Sequence, residues 1–306
     1  MKYLFTGLVF SVLWASASVA TKVGVQVAPP LILANIRFFI AGGVLLGYSY
    51  LSKKNPDYRL PTKSEWKQLS IFGLLNTTLY LGLYVFAMEK TAAGIGSLAV
   101  STNPLIIVIL SAVYLGRKPS VSELFAIALG MAGIAVASWP LVANSYSTID
   151  GIVLLMGSMI VVSCASVYYA SVNWRLPNLL INGWQVLLGG VFLLPVTLFT
   201  SNYHAVTYNT SFFFSVLWLS LAVSVVGLIC WFYLLRIDTV KASLWLFLCP
   251  FFGFFFAWWL MEEPITIYTI LGTLMVIAAL YLGQRYKIRG RSSGRGIPLS
   301  EKATAG

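Results

Sequence analysis

From Ala242 to Leu260 the chain runs 19 residues without a charge. As a helix, such a run is about 28 Å long, the thickness of a bilayer's hydrocarbon core. The surrounding stretch, Thr239 to Pro264, carries Pro250 near its middle and closes on Glu262-Glu263-Pro264. Proline cannot donate its amide and frees a carbonyl one turn back, here Leu246. At membrane depth, such a break survives only where protein or a wet cavity satisfies the freed group.

Thr91 to Pro119 repeats the plan: small residues first, Pro104 at mid-span with the freed carbonyl at Val100, then Arg117-Lys118-Pro119. Gly96-Ser97-Leu98 aligns with Ala242-Ser243-Leu244, and Pro104 with Pro250, at one offset of 146. The offset is 147 for Pro30 to Asn35 on Pro177 to Asn182, for Gly42-Gly43-Val44 on Gly189-Gly190-Val191 and for Ser16 on Ser163. Leu129-Gly130 falls on Leu271-Gly272 at 142. A nearly constant offset over most of the chain marks an internal duplication, about 4–139 and 151–283.

Apolar runs long enough to span occur at about 4–21, 30–51, 68–88, 92–115, 122–139, 151–171, 178–199, 212–235, 239–260 and 266–283. Only 9% of the 306 residues are charged, against roughly 25% in soluble domains, so most of the surface must face lipid. With the N-terminus in the cytoplasm, seventeen Lys and Arg fall inside and only Lys22 and Lys90 outside, which fixes the orientation. Five spans per copy is odd, so the second copy enters from the opposite side. The expected fold is all-α integral membrane: ten transmembrane helices as two inverted five-helix repeats, both termini inside. The boundaries are 1–145, 146–285 and a basic, disordered cytoplasmic tail at 286–306. Lys2, the apolar run to Val12 and WASASVA also fit a cleavable leader; the duplication favours a first span.

The net charge of +11 is explained by cytoplasmic loops, and no basic-aromatic platform points to nucleic acid. Cys164, Cys230 and Cys249 lie in apolar runs, and His204 is the only histidine, so neither a disulfide framework nor a metal site is expected. No nucleophile–base cluster suggests catalysis, and no cofactor is expected.

The paired mid-span prolines, Met261-Glu262-Glu263-Pro264, Leu271-Gly272, and Trp14 with Ser16 in the first span resemble the EamA-type branch of the drug/metabolite transporter superfamily across both halves. The first half departs from that pattern in closing on Arg117-Lys118 rather than on an acid. The resemblance implies a monomeric or weakly associated inner (plasma) membrane permease with a central cavity between the halves. Its substrates range over amino acids, other metabolites, drugs and nucleotide sugars.

Candidate cavity residues follow from the pattern of polar and aromatic side chains. Trp14, Ser18 and Lys22 share a face at four-residue steps, Lys22 either meeting cargo or ending the helix at the interface. Asn76, Tyr80 and Tyr84 form a second stripe beside Thr77, bonding either cargo or another helix. Arg37 is the one charge well inside a span, placed either to attract a carboxylate or phosphate of the cargo or to snorkel outward. Pro104 and Pro250 either shape the cavity or serve as packing kinks. Ser97, Ser163, Ser166, Tyr169, Trp231 and Trp245 complete the set. Trp258 and Trp259 read as interface belt.

Acids occur only at loops or span ends, among them Glu89, Glu123, Asp150, Asp238, Glu262 and Glu263. Proton-driven export of hydrophobic cations usually needs an acid at depth. The expected function is therefore a permease or exporter of small metabolites, amino acids first. A drug or nucleotide-sugar carrier is the alternative within the class. A non-transporting scaffold or lipid-modifying protein is the alternative outside it.

Overall fold

In lipid the backbone must satisfy its own hydrogen bonds, and the regular structure among the described residues is all helical, with no strand. The computed structural model describes residues 2–51, 58–114, 118, 121–144, 146–237 and 245–293. Arg117, Pro119, Lys241, the aligned Ala242-Ser243-Leu244 and the chain beyond Ser293 lie outside the described residues.

The helices, in chain order, are α1 (Lys2–Val25), α2 (Pro30–Leu51), α3 (Lys63–Lys90), α4 (Ala93–Val100) and α5 (Asn103–Tyr114). They continue with α6 (Val121–Ala143), α7 (Ile149–Ser171), α8 (Asn178–Thr200), α9 (210–237), α10 (Cys249–Met261) and α11 (Ile267–Ser293). Seven helical stretches among the described residues are long and apolar enough to cross a bilayer: Lys2–Val25, Pro30–Leu51, Lys63–Lys90, Leu124–Ala143, Ile149–Ser171, Asn178–Thr200 and Thr210–Trp231. Three shorter apolar stretches, Ala93–Ile107, Cys249–Met261 and Ile267–Leu282, occupy the remaining expected spans. Helix α11 runs on to Ser293, eight residues into the stretch expected to be a disordered tail.

The mid-span prolines do not bend continuous helices, as the sequence led us to expect. Helix α4 stops at Val100 and α5 starts at Asn103 with Pro104 as its second residue. A 3₁₀ turn, Trp245–Leu248, precedes α10, where Pro250 is again second. Proline fits the first turn, whose N–H groups have no helical partner. It is not sufficient for a break, since Pro140 and Pro195 lie inside α6 and α8. At the first break, Ser101 and Thr102 turn their hydroxyls back to the carbonyls of Ser97 (3.3 Å) and Ala99 (2.7 Å). Such local bonds compete with the helical ladder. The Leu246 carbonyl accepts the Ser101 hydroxyl at 3.5 Å, joining the two broken elements.

Two spans contain π-helical segments that the sequence did not disclose: Leu74–Leu79 in α3 and Trp218–Gly227 in α9. They fall in the third and the eighth of the ten apolar runs read from the sequence. Such segments tilt the following turns relative to a 3.6-residue helix.

Helix α2 packs along α8, α6 along α11, α4 against α10, α3 against α7 and α1 against α9. The close pairs meet at small residues. A Cβ added at Gly272 would lie 2.3 Å from the Gly133 carbonyl oxygen, and one at Gly189 2.3 Å from the Thr77 Cβ. Only glycine permits these approaches. The largest buried cluster joins α1, α3, α4, α5, α6, α7, α10 and α11 around Ile95, Leu98, Leu155 and Met159.

Candidate functional site

Between the helices lies a cavity of about 410 Å³, within the size range of small-molecule sites. Its wall comes from α1, α2, α3, α4, α5, α7, α8, α9 and α10, together with Leu246 in the turn before α10. Eleven of the fourteen residues singled out in the sequence stand on it: Trp14, Ser18, Arg37, Asn76, Tyr80, Tyr84, Ser97, Pro104, Ser166, Tyr169 and Trp231.

The other three do not line it. Ser163 is fully buried and donates to the Met159 carbonyl at 2.7 Å. Trp245 fills the space beside Gly7 and meets the Tyr3 ring at 6.1 Å between centroids. Pro250 is buried next to Cys249, which takes its place on the wall with Leu246.

On α1, Phe10 stacks on Trp231 at 4.9 Å and meets Trp14 at 5.4 Å, giving the cavity an aromatic side. Lys22 leaves the stripe to donate to the Glu89 carbonyl at 3.2 Å, at the helix end. The Asn76 stripe reaches the wall through the π segment. There Asn76 and Thr77 donate to the Gln185 side-chain carbonyl at 3.3 and 2.6 Å. Gln185 is 2% exposed and itself on the wall. Sequence reasoning passed over it, along with Asn103, Asn182 and Ser224. Gln185, Asn182 and Ser224 are isolated polar residues in apolar runs, and Asn103 closes the polar triplet Ser101-Thr102-Asn103 before Pro104; those were the available signals.

Arg37 does not snorkel. Its side chain is buried and donates from Nε and Nη2 to the Ser224 hydroxyl, at 3.1 and 3.0 Å. Among the described residues no acid stands on the cavity wall, and no Cys, His, Asp or Glu cluster able to hold a metal occurs.

One end of the bundle is clasped. Lys90 pairs with Asp150, Thr148 N–H donates to the Lys90 carbonyl at 2.9 Å, and Ala92 N–H to the Ser147 hydroxyl at 2.8 Å. Glu263, one of the acids the sequence places at a span end, is buried and accepts the backbone N–H groups of Ala93 and Gly94 at the start of α4. The cavity extends the other way: Tyr169 and Asn182 lie within a turn or so of the opposite helix ends.

The EamA-like transporter family model matches residues 1–139 and 149–283. The chain belongs to the EamA-like transporter family. It is a multi-pass membrane transporter, as its motif set implied. The EamA-like chain is 27% identical over 293 residues to the uncharacterized transporter YvbV of Bacillus subtilis, covering 95% of this chain and 94% of that one. It is 26% identical to an uncharacterized transporter of Archaeoglobus fulgidus, over 88% of this chain and 93% of the relative. The uncharacterized inner membrane transporter YedA of Escherichia coli K12 is 27% identical over 74% of this chain and 71% of its own. A solved crystal structure superposes with a TM-score of 0.64 at 17% identity, covering 94% of this EamA-like chain and 98% of the other. That likeness concerns the fold alone.

Proposed function

We propose that this transporter is an inner-membrane permease of ten spans, arranged as two inverted five-helix repeats with both termini in the cytoplasm. It moves small amphipathic metabolites outward by alternating access, with amino acids the leading class. The observation that carries this reading is the cavity of about 410 Å³ walled by helices of both halves and by both broken elements. The two stretches matched by the family model nearly coincide with the two copies read from the offsets, which supports the duplication. Inverted repeats exchange conformations and so carry a central site from one face to the other.

The wall mixes Trp and Tyr faces with hydroxyls and amides, a lining suited to a solute with an apolar body and a polar head. The clasped end corresponds, in the proposed orientation, to the outside. The described conformation then faces the cytoplasm, ready to load a solute for export. With no acid on the wall, the cavity lacks the group that proton-coupled carriers of hydrophobic cations use. A facilitator fits better.

The test is flux of a radiolabelled amino-acid panel in proteoliposomes, with and without a proton gradient. Flux that ignores the gradient supports the facilitator. No flux for any solute in the panel rejects amino acids as cargo.

A further inference from the structure

We propose that Arg37 is the docking point for an acid group of the cargo, and that the cavity selects small apolar-bodied carboxylates over the zwitterions of the same skeleton. This rests on the permease reading and revises its ranking of cargo: among small amphipathic solutes, simple carboxylates stand ahead of the amino acids placed first there.

Arg37 is 7% exposed and forms part of the cavity wall. A guanidinium is charged at every working pH and carries five N–H donors in a planar fork. Two of them reach Ser224, and the hydroxyl supplies no counter-charge. Only two ion pairs occur among the described residues, Arg59 with Glu65 and Lys90 with Asp150. Arg37 therefore faces the cavity as an uncompensated buried cation. Burying an unpaired charge is costly, so such a group is kept where an opposite charge arrives.

The surroundings hold that fork in place. Ser224 stands on the π-helical segment Trp218–Gly227, and from the same segment Ser220 donates to the backbone carbonyl of Arg37 at 3.4 Å. One stretch of α9 thus grips Arg37 at both its backbone and its side chain. Asn103 and Cys249, the first residues of α5 and α10, also stand on the wall.

Among the described residues, no carboxylate on the wall offsets the Arg37 charge for a cationic group. An ammonium would meet only amides, hydroxyls and ring faces, with Arg37 repelling it. A zwitterion gains at its carboxylate and loses at its ammonium; a simple carboxylate only gains. The stacked Phe10 and Trp231 rings, with Trp14 beside them, supply an apolar side for the body of such a solute.

Three probes of one skeleton separate these cases: hydrocinnamate, L-phenylalanine and phenethylamine. Binding to the purified full chain in detergent is measured by titration calorimetry, and flux in proteoliposomes beside it. The proposal expects hydrocinnamate to bind about tenfold tighter than L-phenylalanine and phenethylamine not to bind, the size of one charge-assisted forked contact. Arg37→Gln should cost hydrocinnamate about tenfold or more, and Ser224→Ala a few-fold, since it frees the fork without removing it. If Arg37→Gln does not fold, Arg37→Lys serves, keeping the charge but losing the fork and part of the affinity. Equal binding of hydrocinnamate and phenethylamine would overturn the proposal. So would undiminished hydrocinnamate affinity in whichever variant folds, the absence of any hydrocinnamate binding, or displacement by equimolar chloride. Arg37-dependent binding without flux would defeat the permease reading and leave the docking site standing. Flux indifferent to Arg37 would do the reverse.

Discussion

The Glu263 carboxylate lies 3.0 Å from the backbone nitrogen of Gly94, 169 residues earlier in the chain. It also accepts from Ala93, so one side chain after α10 caps the first turn of α4. The approach depends on Glu262, which ends α10 with φ of 54° and lets the Glu263 N–H return to the Ala257 carbonyl at 3.2 Å. Glu263→Ala leaves two buried N–H groups without acceptors and should cost about 2 kcal/mol, read as a lower unfolding temperature in detergent. Glu263→Gln keeps one acceptor and should lose less.

The same carboxyl should make the clasp sensitive to pH. Burial, the largest influence, pushes Glu263 above the usual glutamate range, against the backbone donors of Gly94 and Ala93 and the charge of Lys22. A raised value in the closed clasp means that this form holds its proton more tightly than an opened, hydrated one. The clasp should therefore be firmest at acid pH. It should weaken as pH climbs from the ordinary glutamate range through the raised value. Hydrogen exchange at Ala93 and Gly94, corrected for the intrinsic rate, should lose protection over that window, and Glu263→Gln should flatten the profile.

A left-handed residue without glycine's freedom is strained. Glu262→Gly should relieve the strain at the end of α10 and raise stability by about 1 kcal/mol, measured as an upward shift in the thermal midpoint.

Much of the cavity was legible because helical steps of four put Trp14 with Ser18, and Asn76 with Tyr80 and Tyr84, on common faces. Arg37 stood out by its charge at depth, though its partner Ser224 did not, since a lone serine in an apolar run carries no direction. The π segments were invisible because a shift in helical pitch changes no residue type. The Glu263 cap joins residues 170 apart in the chain, and no local pattern encodes such a bond. The prolines signalled the broken spans, whereas the position of the break was decided by the hydroxyls of Ser101 and Thr102.

Gln185→Leu keeps the volume but removes the acceptor shared by Asn76 and Thr77. Thr77 is fully buried, so its hydroxyl would be left without that partner. The expected loss is about 1–3 kcal/mol of stability. Flux should fall as well, because the π segment that carries Asn76 to the cavity wall keeps only the Thr78 hydroxyl on the Gly189 carbonyl, at 2.9 Å, as a side-chain tie to α8.

The α6–α11 pair should tolerate no side chain at its crossing. Gly272→Ala would put a methyl 2.3 Å from the Gly133 oxygen and 2.7 Å from the Ala137 nitrogen, both backbone atoms. Overpacking of this kind costs about 1–3 kcal/mol, and unfolding in detergent should show it.

The central claim is that solute passes through the cavity between the halves. Ser166 is a partly buried wall residue on α7, and its hydroxyl bonds only the Val162 carbonyl of its own helix, at 2.8 Å. Flux of the best-carried solute should be compared in proteoliposomes between the natural chain and Ser166→Trp, both verified as folded by their melting transitions. The account predicts that the indole fills the space and abolishes flux. Undiminished flux through a folded Ser166→Trp protein would contradict it.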